Sequence, residues 1–91
     1  MATTQAERTP NPNSLKFTTS DGVFLQDGVA AYSSHSEAEE NPLARQLFSI
    51  DGIEDVFITP QFVTVSKAPG IDWSSVQPEV KAILDNYLKT N

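Results

Sequence analysis

The chain has 91 residues, enough for one domain, with no cysteine and a single histidine. The absence of cysteine excludes disulfides, thiolate nucleophiles and thiolate metal ligands from these residues. Twelve acidic and six scattered basic residues give a net charge of −6, which argues against nucleic acid or an anionic membrane as a partner. The acidity provides solubility, or it matches a basic protein partner.

The N-terminal segment, residues 1–8, is polar and is predicted to be flexible, ahead of a single domain over 9–91. It has no basic start and no apolar run, so neither a signal peptide nor a transit peptide is expected. No apolar stretch approaches the roughly 20 residues of a membrane helix. The expectation is a cytoplasmic protein with no membrane association.

Two prolines shape the next segment, Thr9–Asn13, which has the sequence TPNPN. Each proline fixes its own backbone and pushes the preceding residue towards an extended conformation. The segment is therefore stiff, either extended or turning. Two interpretations stay open: a rigid entry into the following strand, or a surface that presents polar groups to a partner.

A strand is predicted over Ser14–Thr19, because Leu15 and Phe17 alternate with polar residues. Asp21–Gly22 is a strong turn signal and predicts a hairpin. The second strand is predicted from Val23 to about Gln26, with a continuation over Val29–Tyr32. Residues 33–40 are predicted to be a polar loop.

The next predicted element is a helix over 42–50, with Asn41 as N-cap and Pro42 at its first position. Gly52 is predicted to adopt a left-handed conformation after it. A second hairpin is predicted from Ile53–Ile58 and Phe62–Lys67, both rich in β-branched and aromatic residues. With a tight loop, Val56, Ile58, Val63 and Val65 would share one face of this hairpin and Phe57 and Phe62 the other, and a one-residue change in loop length would swap part of this assignment.

The last predicted helix covers 78–89 and follows a short turn that is capped by Asp72. Its apolar residues recur with helical spacing, starting from Val80. The element order is ββαββα. The sequence therefore predicts an α+β fold, a two-layer sandwich with a mainly antiparallel four-stranded sheet of two β-hairpins and both helices on one face.

Catalytic and metal-binding chemistry finds little support in these residues. His35 lies among serines in the predicted loop, and no orienting acid is specified for it. Flexible glutamates beside one imidazole do not preorganise a metal site. The pair Asp51 and Asp55 lacks an evident hydrophobic pocket that would separate the two pKa values. No enzyme activity and no bound metal are expected.

Some other residues allow two interpretations. Lys16 and Arg45 either balance local acids or bind one anion, or one partner carboxylate, between them. The aromatic side chains of Phe48, Phe57, Phe62 and Trp73 are expected mostly in the core. One of them left outside would mark an interface.

Several blocks of the sequence occur together in one known family. They are Thr9–Phe17 (TPNPNSLKF), Asn41–Phe48 (NPLARQLF), Ile50–Ile53 (IDGI), Val56–Phe57, Phe62–Lys67 (FVTVSK), Asp72–Trp73 and Pro78. In this order and spacing they resemble the N-terminal domain of Nfu-type (NifU-like) iron–sulfur scaffold proteins. The resemblance covers about 9–80, and 18–40 is the poorly matching part.

The resemblance implies an α+β domain of two hairpins and two helices. In the family, this domain usually precedes a second domain whose Cys-x-x-Cys pair ligates a bridging cluster, so that iron binding belongs to the second domain. The first domain lacks cluster ligands, is thought to serve recognition, and also occurs alone in bacteria. Gln61 stands where the family commonly has Asp, so a role for that carboxylate is not transferred. These 91 residues hold no such second domain, and no cofactor is expected on them.

The expected function is that of a non-catalytic accessory domain in iron–sulfur cluster assembly or delivery. It would act as a monomer through recognition of cluster-assembly proteins or recipient apoproteins. The alternative is a general protein-interaction or small-ligand-binding module unrelated to clusters. The resemblance supplies the candidate partner-binding positions, none of them catalytic: Thr9, Asn11, Asn13, Lys16, Arg45, Phe48, Phe62, Thr64, Lys67 and Trp73.

Overall fold

The computed structural model describes residues 4–19, 23–25 and 27–90 of the chain. Within these ranges the strands are β1 (Gln5–Arg8), β2 (Ser14–Thr18), β3 (Ala30–Tyr32), β4 (Ile53–Ile58) and β5 (Phe62–Lys67). The helices are α1 (His35–Ala38), α2 (Pro42–Phe48) and α3 (Trp73–Thr90).

The five described strands form one antiparallel sheet in the order β1-β2-β5-β4-β3. The predicted α+β class and antiparallel sheet are confirmed. The predicted four strands and the order ββαββα are wrong, because the described elements follow one another as βββααββα. The differences come from one additional edge strand and one additional short helix.

One face of the sheet carries the core. In the register of β2 and β5, Leu15 lies opposite Val65 and Phe17 opposite Val63, and all four side chains are buried. The helices cover this same face, as predicted for a two-layer sandwich. Their buried contributions to the core are Leu43, Ala44, Leu47 and Phe48 from α2, and Val76, Val80, Leu84 and Leu88 from α3.

The hairpin of β4 and β5 has the predicted faces. Ile58 pairs with Val63 and Phe57 with Thr64, which requires the tight loop. Burial decides which face is which: Val56, Ile58, Val63 and Val65 are buried, whereas Phe57 and Phe62 lie on the opposite face. We call this opposite face, which no described helix covers, the open sheet face.

Strand β1 replaces the flexible segment predicted over 1–8 for residues 5–8, and residues 1–3 of that prediction lie outside the described residues. Gln5–Arg8 pairs with β2 from Gln5 opposite Thr18 to Arg8 opposite Leu15. All four side chains are exposed, so the strand leaves no apolar periodicity in the sequence. An edge strand can be polar because its backbone hydrogen bonds to the neighbouring strand hold it in place.

The first predicted hairpin is also wrong. Strand β2 pairs with β1 and β5, while β3 pairs with β4 at the far edge of the sheet. Residues 23–25, predicted as the start of the second strand, form no strand; Phe24 N donates to Pro60 O at 2.9 Å instead, and β3 is separated from β2 by β5 and β4. The predicted turn at Asp21–Gly22 and the predicted strand end at Gln26 lie outside the described residues.

Helix α2 begins as predicted but ends at Phe48 instead of 50. Asn41 Oδ1 accepts hydrogen bonds from Leu43 N and Ala44 N at 2.9 and 3.1 Å, which satisfies two free N–H groups of the first turn. Helix α1 occupies part of the predicted polar loop and is capped by Ser34, whose hydroxyl accepts from Glu37 N. A single turn is too short to produce a helical period in the sequence.

Helix α3 begins at Trp73 instead of 78. Asp72 acts as its cap, since Asp72 Oδ1 accepts from Ser74 N at 3.1 Å. Pro78 therefore lies inside the helix instead of starting it. The carbonyl that loses its helical partner there belongs to Ser74, which is exposed in the first turn of the helix.

Thr4 fastens the start of β1 to helix α3. Its backbone N–H and its hydroxyl both donate to Asp85 Oδ1 at 2.9 Å, and Lys81 Nζ lies 2.7 Å from Asp85 Oδ2. Partial burial raises the pKa of Asp85, but the bonds from Lys81 and Thr4 outweigh it and hold the pKa below its ordinary value. The ionised carboxylate is therefore stabilised in the folded state.

Asp85→Asn is expected to lower the free energy of unfolding at neutral pH by about 1 kcal/mol, because a charged acceptor of three donor groups becomes neutral. A depressed folded-state pKa stabilises the fold above the unfolded value near 3.8, and this stabilisation is lost as the pH falls below it. Urea titrations should find the difference from the parent chain shrinking towards acid pH. Asp51→Asn, at an exposed position without a described hydrogen bond, is the matched control; an undiminished difference at acid pH would contradict the assignment.

Candidate functional site

The TPNPN segment is the turn of the β1–β2 hairpin, and its side chains hydrogen-bond within it. Thr9 Oγ1 lies 2.9 Å from Asn11 O and 3.2 Å from Ser14 O, and it accepts from Asn11 N at 3.2 Å. Asn11 Oδ1 accepts from Asn13 N at 2.9 Å. The turn, Thr9–Asn13, thus has a fixed shape of its own.

Lys67 and Trp73 hold this turn from the side of the helices. Lys67 is only 6% exposed; its backbone N donates to Asn13 O at 2.8 Å and its Nζ to Asn13 Oδ1 at 3.2 Å. Trp73 Nε1 donates to Pro12 O at 3.0 Å, and Lys67 Nζ lies 5.5 Å from the Trp73 ring centroid. Five predicted positions therefore come together here: Thr9, Asn11, Asn13, Lys67 and Trp73.

A pocket of about 400 Å³ lies between this turn and the first turns of α3. Its walls combine prolines, the partly buried indole of Trp73 and a few polar groups. We call it the turn pocket; its lining residues are Arg8, Thr9, Pro10, Asn11, Pro12, Ser14, Leu15, Trp73 and Gln77.

The same region holds a carboxylate with a lowered pKa. Hydrogen bonds from the backbone and side chain of Ser74 hold the pKa of Asp72 below its ordinary value, and the nearby charge of Lys67 acts in the same direction. Asp72 caps α3, and it does not line the turn pocket. It is therefore a structural carboxylate.

Three further predicted positions lie on the open sheet face: Lys16, Phe62 and Thr64. Lys16 Nζ lies 4.6 Å from the centroid of the Phe62 ring, a cation–π contact. The rings of Phe57 and Phe62 are tilted, with centroids 6.2 Å apart, and Phe57 is 38% exposed. The expectation that the four aromatic residues lie mostly in the core is thus wrong for Phe57 and Phe62, which lie on the open sheet face. Phe48 is buried in the core, and Trp73 packs against the core while partly exposed.

The last two predicted positions, Arg45 and Phe48, belong to α2. Phe48 packs in the core, and its ring centroid lies 6.3 Å from that of His35. Arg45 is exposed. Because α2 covers the buried face of the sheet while Lys16 points from the open face, Lys16 and Arg45 diverge. The interpretation that one anion binds between them is wrong.

The residues considered for chemistry are not assembled into a centre. His35 is exposed on α1, Asp51 lies in the turn after α2, and Asp55 lies on the open sheet face. In 4–19, 23–25 and 27–90, no three His, Cys, Asp or Glu side chains are grouped so that they could hold a metal ion. Among the same residues, no helix is long and apolar enough to cross a membrane.

Arg8 and Gln77 were missed by the sequence analysis. Arg8 lay in the segment expected to be flexible, and Gln77 in a turn that is in fact the first part of α3. One signal was available for Arg8. A stiff five-residue turn directly before a strand implies that the residues before the turn pair with that strand.

Together, the five-stranded antiparallel sheet, the helices on one face and the structured hairpin turn define a small two-layer α+β domain. Residues 4–91 match the family described as "Scaffold protein Nfu/NifU N terminal". The chain belongs to this family, as the resemblance predicted.

Solved structures share the fold. The chain superposes on a solution structure of a NifU-like protein from Saccharomyces cerevisiae with a TM-score of 0.83 and 29% identity, covering 100% of this chain and 82% of that one. A crystal structure of a Staphylococcus aureus protein gives a TM-score of 0.74 with 24% identity, covering 92% of this chain and 99% of that one. At that identity, the second match supports the fold alone.

Curated relatives are longer than this chain. It is 39% identical over 84 residues to "NFU1 iron-sulfur cluster scaffold homolog, mitochondrial" of Homo sapiens, covering 91% of this chain and 33% of that protein. The protein of the same name in Drosophila erecta is 37% identical over 83 residues, covering 91% and 29%. The chain thus spans about a third of the length of these relatives.

Proposed function

We propose that this domain is a non-catalytic recognition module in the assembly or delivery of iron–sulfur clusters, and that it docks other proteins without binding the cluster itself. The observation that carries the proposal is how the family-resembling residues Thr9–Asn13, Lys67 and Trp73 are used. They hold a turn in a fixed shape beside a pocket instead of forming a nucleophile or an acid–base pair. Such a preformed surface suits protein recognition, because little conformational entropy is lost on docking.

The chain's own residues are a poor match for an iron–sulfur cluster. Clusters are held mainly by cysteine thiolates, with histidine in some centres. This chain has no cysteine, and its one histidine is exposed on α1. The proposed role therefore rests on contact with cluster-carrying or cluster-receiving proteins.

Two surfaces are proposed for docking. The first is the turn with Lys67 and Trp73. The second is the open sheet face around Lys16, Phe62 and Thr64, where partly exposed aromatic rings and a cation lie together. Arg45 stays a predicted contact on α2, and Phe48 a framework position because it is buried.

An NMR titration of the labelled domain with purified cluster-assembly proteins, and separately with a recipient apoprotein, tests the proposal. We expect at least one partner to shift backbone resonances on the named surfaces: around 9–16, 67 and 73 for the turn, around 16, 62 and 64 for the open sheet face, and at 42–48 where Arg45 is contacted. A basic protein with no role in cluster chemistry, such as lysozyme, controls for attraction to the net charge of −6. No shifts with any partner, or shifts only outside the named surfaces, would contradict the proposal.

The same titration separates the alternative function. A general protein-interaction or ligand-binding module would ignore the cluster proteins and bind partners that have no link to iron. Anaerobic reconstitution with iron and sulfide is expected to leave the isolated domain without cluster absorbance. A stable, stoichiometric cluster on the domain would overturn the claim that it recognises partners without binding the cluster.

The cytoplasmic location and the monomeric state also remain predictions. The names of the curated relatives carry the word mitochondrial, which is a statement about those proteins. Fractionation of source cells and size-exclusion chromatography of the purified domain test the two predictions directly.

A further inference from the structure

The turn pocket has an unusual charge for this protein. None of its lining residues is acidic, although the chain has twice as many acidic as basic residues. Arg8 is its one charged lining residue. Among the described residues, the Arg8 guanidinium has no hydrogen-bond or ion-pair partner, and the side chain is exposed. The lining of the pocket therefore carries one cation and no acid, in a protein with a net charge of −6.

The walls of the pocket are preformed. The hydrogen bonds of Thr9 and Asn11 fix the turn, and the bond from Trp73 Nε1 to Pro12 O fixes the indole against it. The Trp73 ring is partly exposed and can stack on an apolar side chain. A volume of about 400 Å³ is of the size that accepts a small ligand or a few side chains of a peptide.

The position of Arg8 indicates the shape of the occupant. Arg8 ends β1, which is the outermost strand of the described sheet, so the outer backbone edge of this strand has no neighbouring strand. Such an edge can accept an extended segment alongside it. A chain running along β1 would reach the turn pocket with its side chains.

We propose that the turn pocket binds an extended segment of a partner protein that carries a carboxylate next to an apolar side chain. The carboxylate pairs with the Arg8 guanidinium, which can hold it through two parallel hydrogen bonds. The apolar side chain packs on Trp73 and Pro12. This inference rests on the proposed function, since it names the chemistry of the segment that the domain recognises.

The test begins with a random dodecapeptide library displayed on phage and selected on the intact domain. We expect enrichment of peptides with Asp or Glu beside an aliphatic or aromatic residue. The best peptides are then synthesised and titrated by fluorescence of Trp73. This residue is the chain's only tryptophan, so it reports directly on the turn pocket.

Three variants isolate the role of Arg8, whose exposed side chain leaves the fold intact when changed. Arg8→Gln is expected to weaken the selected peptides at least tenfold, and Arg8→Lys by less, because it keeps the charge but loses the two-point geometry. Lys89→Gln removes an equal charge from the exposed end of α3 and is expected to leave affinity unchanged. Peptides with Asn or Gln in place of the acid should bind the parent domain as weakly as Arg8→Gln binds the acidic ones.

Several outcomes would overturn the inference. These are no enriched peptide, enriched peptides without an acid, equal affinity for Arg8→Gln, or peptide-induced NMR shifts confined to the open sheet face. Self-association through the pocket, seen as a concentration-dependent Trp73 signal without peptide, would also overturn it in favour of a second copy. If the peptides bind as expected but cluster-assembly proteins do not, the inference stands and the proposed function fails. If those proteins bind only at the open sheet face, the proposed function stands and the inference about the turn pocket fails.

Discussion

Gly52→Ala is expected to lower the free energy of unfolding by about 3 kcal/mol, a large part of the stability of a domain this size. Gly52 has φ of +97°, in the region that L side chains rarely adopt. A Cβ there would also lie 2.8 Å from Ile71 Cγ1, closer than two carbons approach. Backbone strain and steric overlap therefore add, and urea unfolding should record the loss.

Two other glycines separate these causes. Gly28 has φ of +75° but open space where a Cβ would lie, so Gly28→Ala should cost about 1 kcal/mol from strain alone. Gly70 has neither the strained φ nor a close neighbour, and Gly70→Ala should have almost no effect. In an Ile71→Ala background, Gly52→Ala should cost visibly less, because the atoms it meets are gone. Equal losses at all three glycines would contradict this account.

Lys67→Ala is expected to be the next largest loss, about 2 kcal/mol. The substitution removes a buried aliphatic stem beside Trp73 and deprives Asn13 Oδ1 and Ala68 O of their donor. Burying an ammonium group costs free energy, so its removal offsets part of the loss of stability. The backbone resonances of the turn should move as well, because Lys67 holds it in place.

Lys67→Met keeps most of the stem and removes only the ammonium group, so it should cost less than Lys67→Ala. Lys89→Ala, at an exposed lysine, should stay within about 0.5 kcal/mol of the parent chain. If Lys67→Ala left both the urea midpoint and the turn resonances unchanged, Lys67 would not support the turn. The affinity of the selected peptides for the turn pocket should fall in the same order across these variants, since Lys67 holds the turn that forms a wall of the pocket.

The contacts of the TPNPN segment with Lys67 bear on both interpretations of that segment. The segment forms a rigid turn that leads into β2, and most of its polar groups are occupied by bonds within the turn or to Lys67 and Trp73. The rigid-entry interpretation is therefore correct as far as it goes. The partner-binding interpretation continues in the pocket that this rigidity creates, whose free charge belongs to Arg8.

The sequence by itself determined the elements whose signals are local. Alternation of apolar and polar residues predicted the strand that starts at Ser14, and β-branched and aromatic residues predicted the strands Ile53–Ile58 and Phe62–Lys67. Which side chains of the hairpin share a face also followed, because side chains alternate along a strand. Asn41 and Pro42 predicted the start of α2 from capping chemistry. The absence of cysteine excluded thiolate chemistry, and the sequence blocks identified the family.

Only the tertiary structure decided the rest, because it depends on contacts between residues distant in sequence. The polar segment Gln5–Arg8 is a strand because its backbone pairs with β2, and the pattern of its side chains does not predict this. The contacts of Lys67 and Trp73 with the turn, 54 and 61 residues away in sequence, build the pocket. Which side chains lie on the open sheet face, and that Lys16 and Arg45 diverge, follow from the layering of helices on a single face of the sheet.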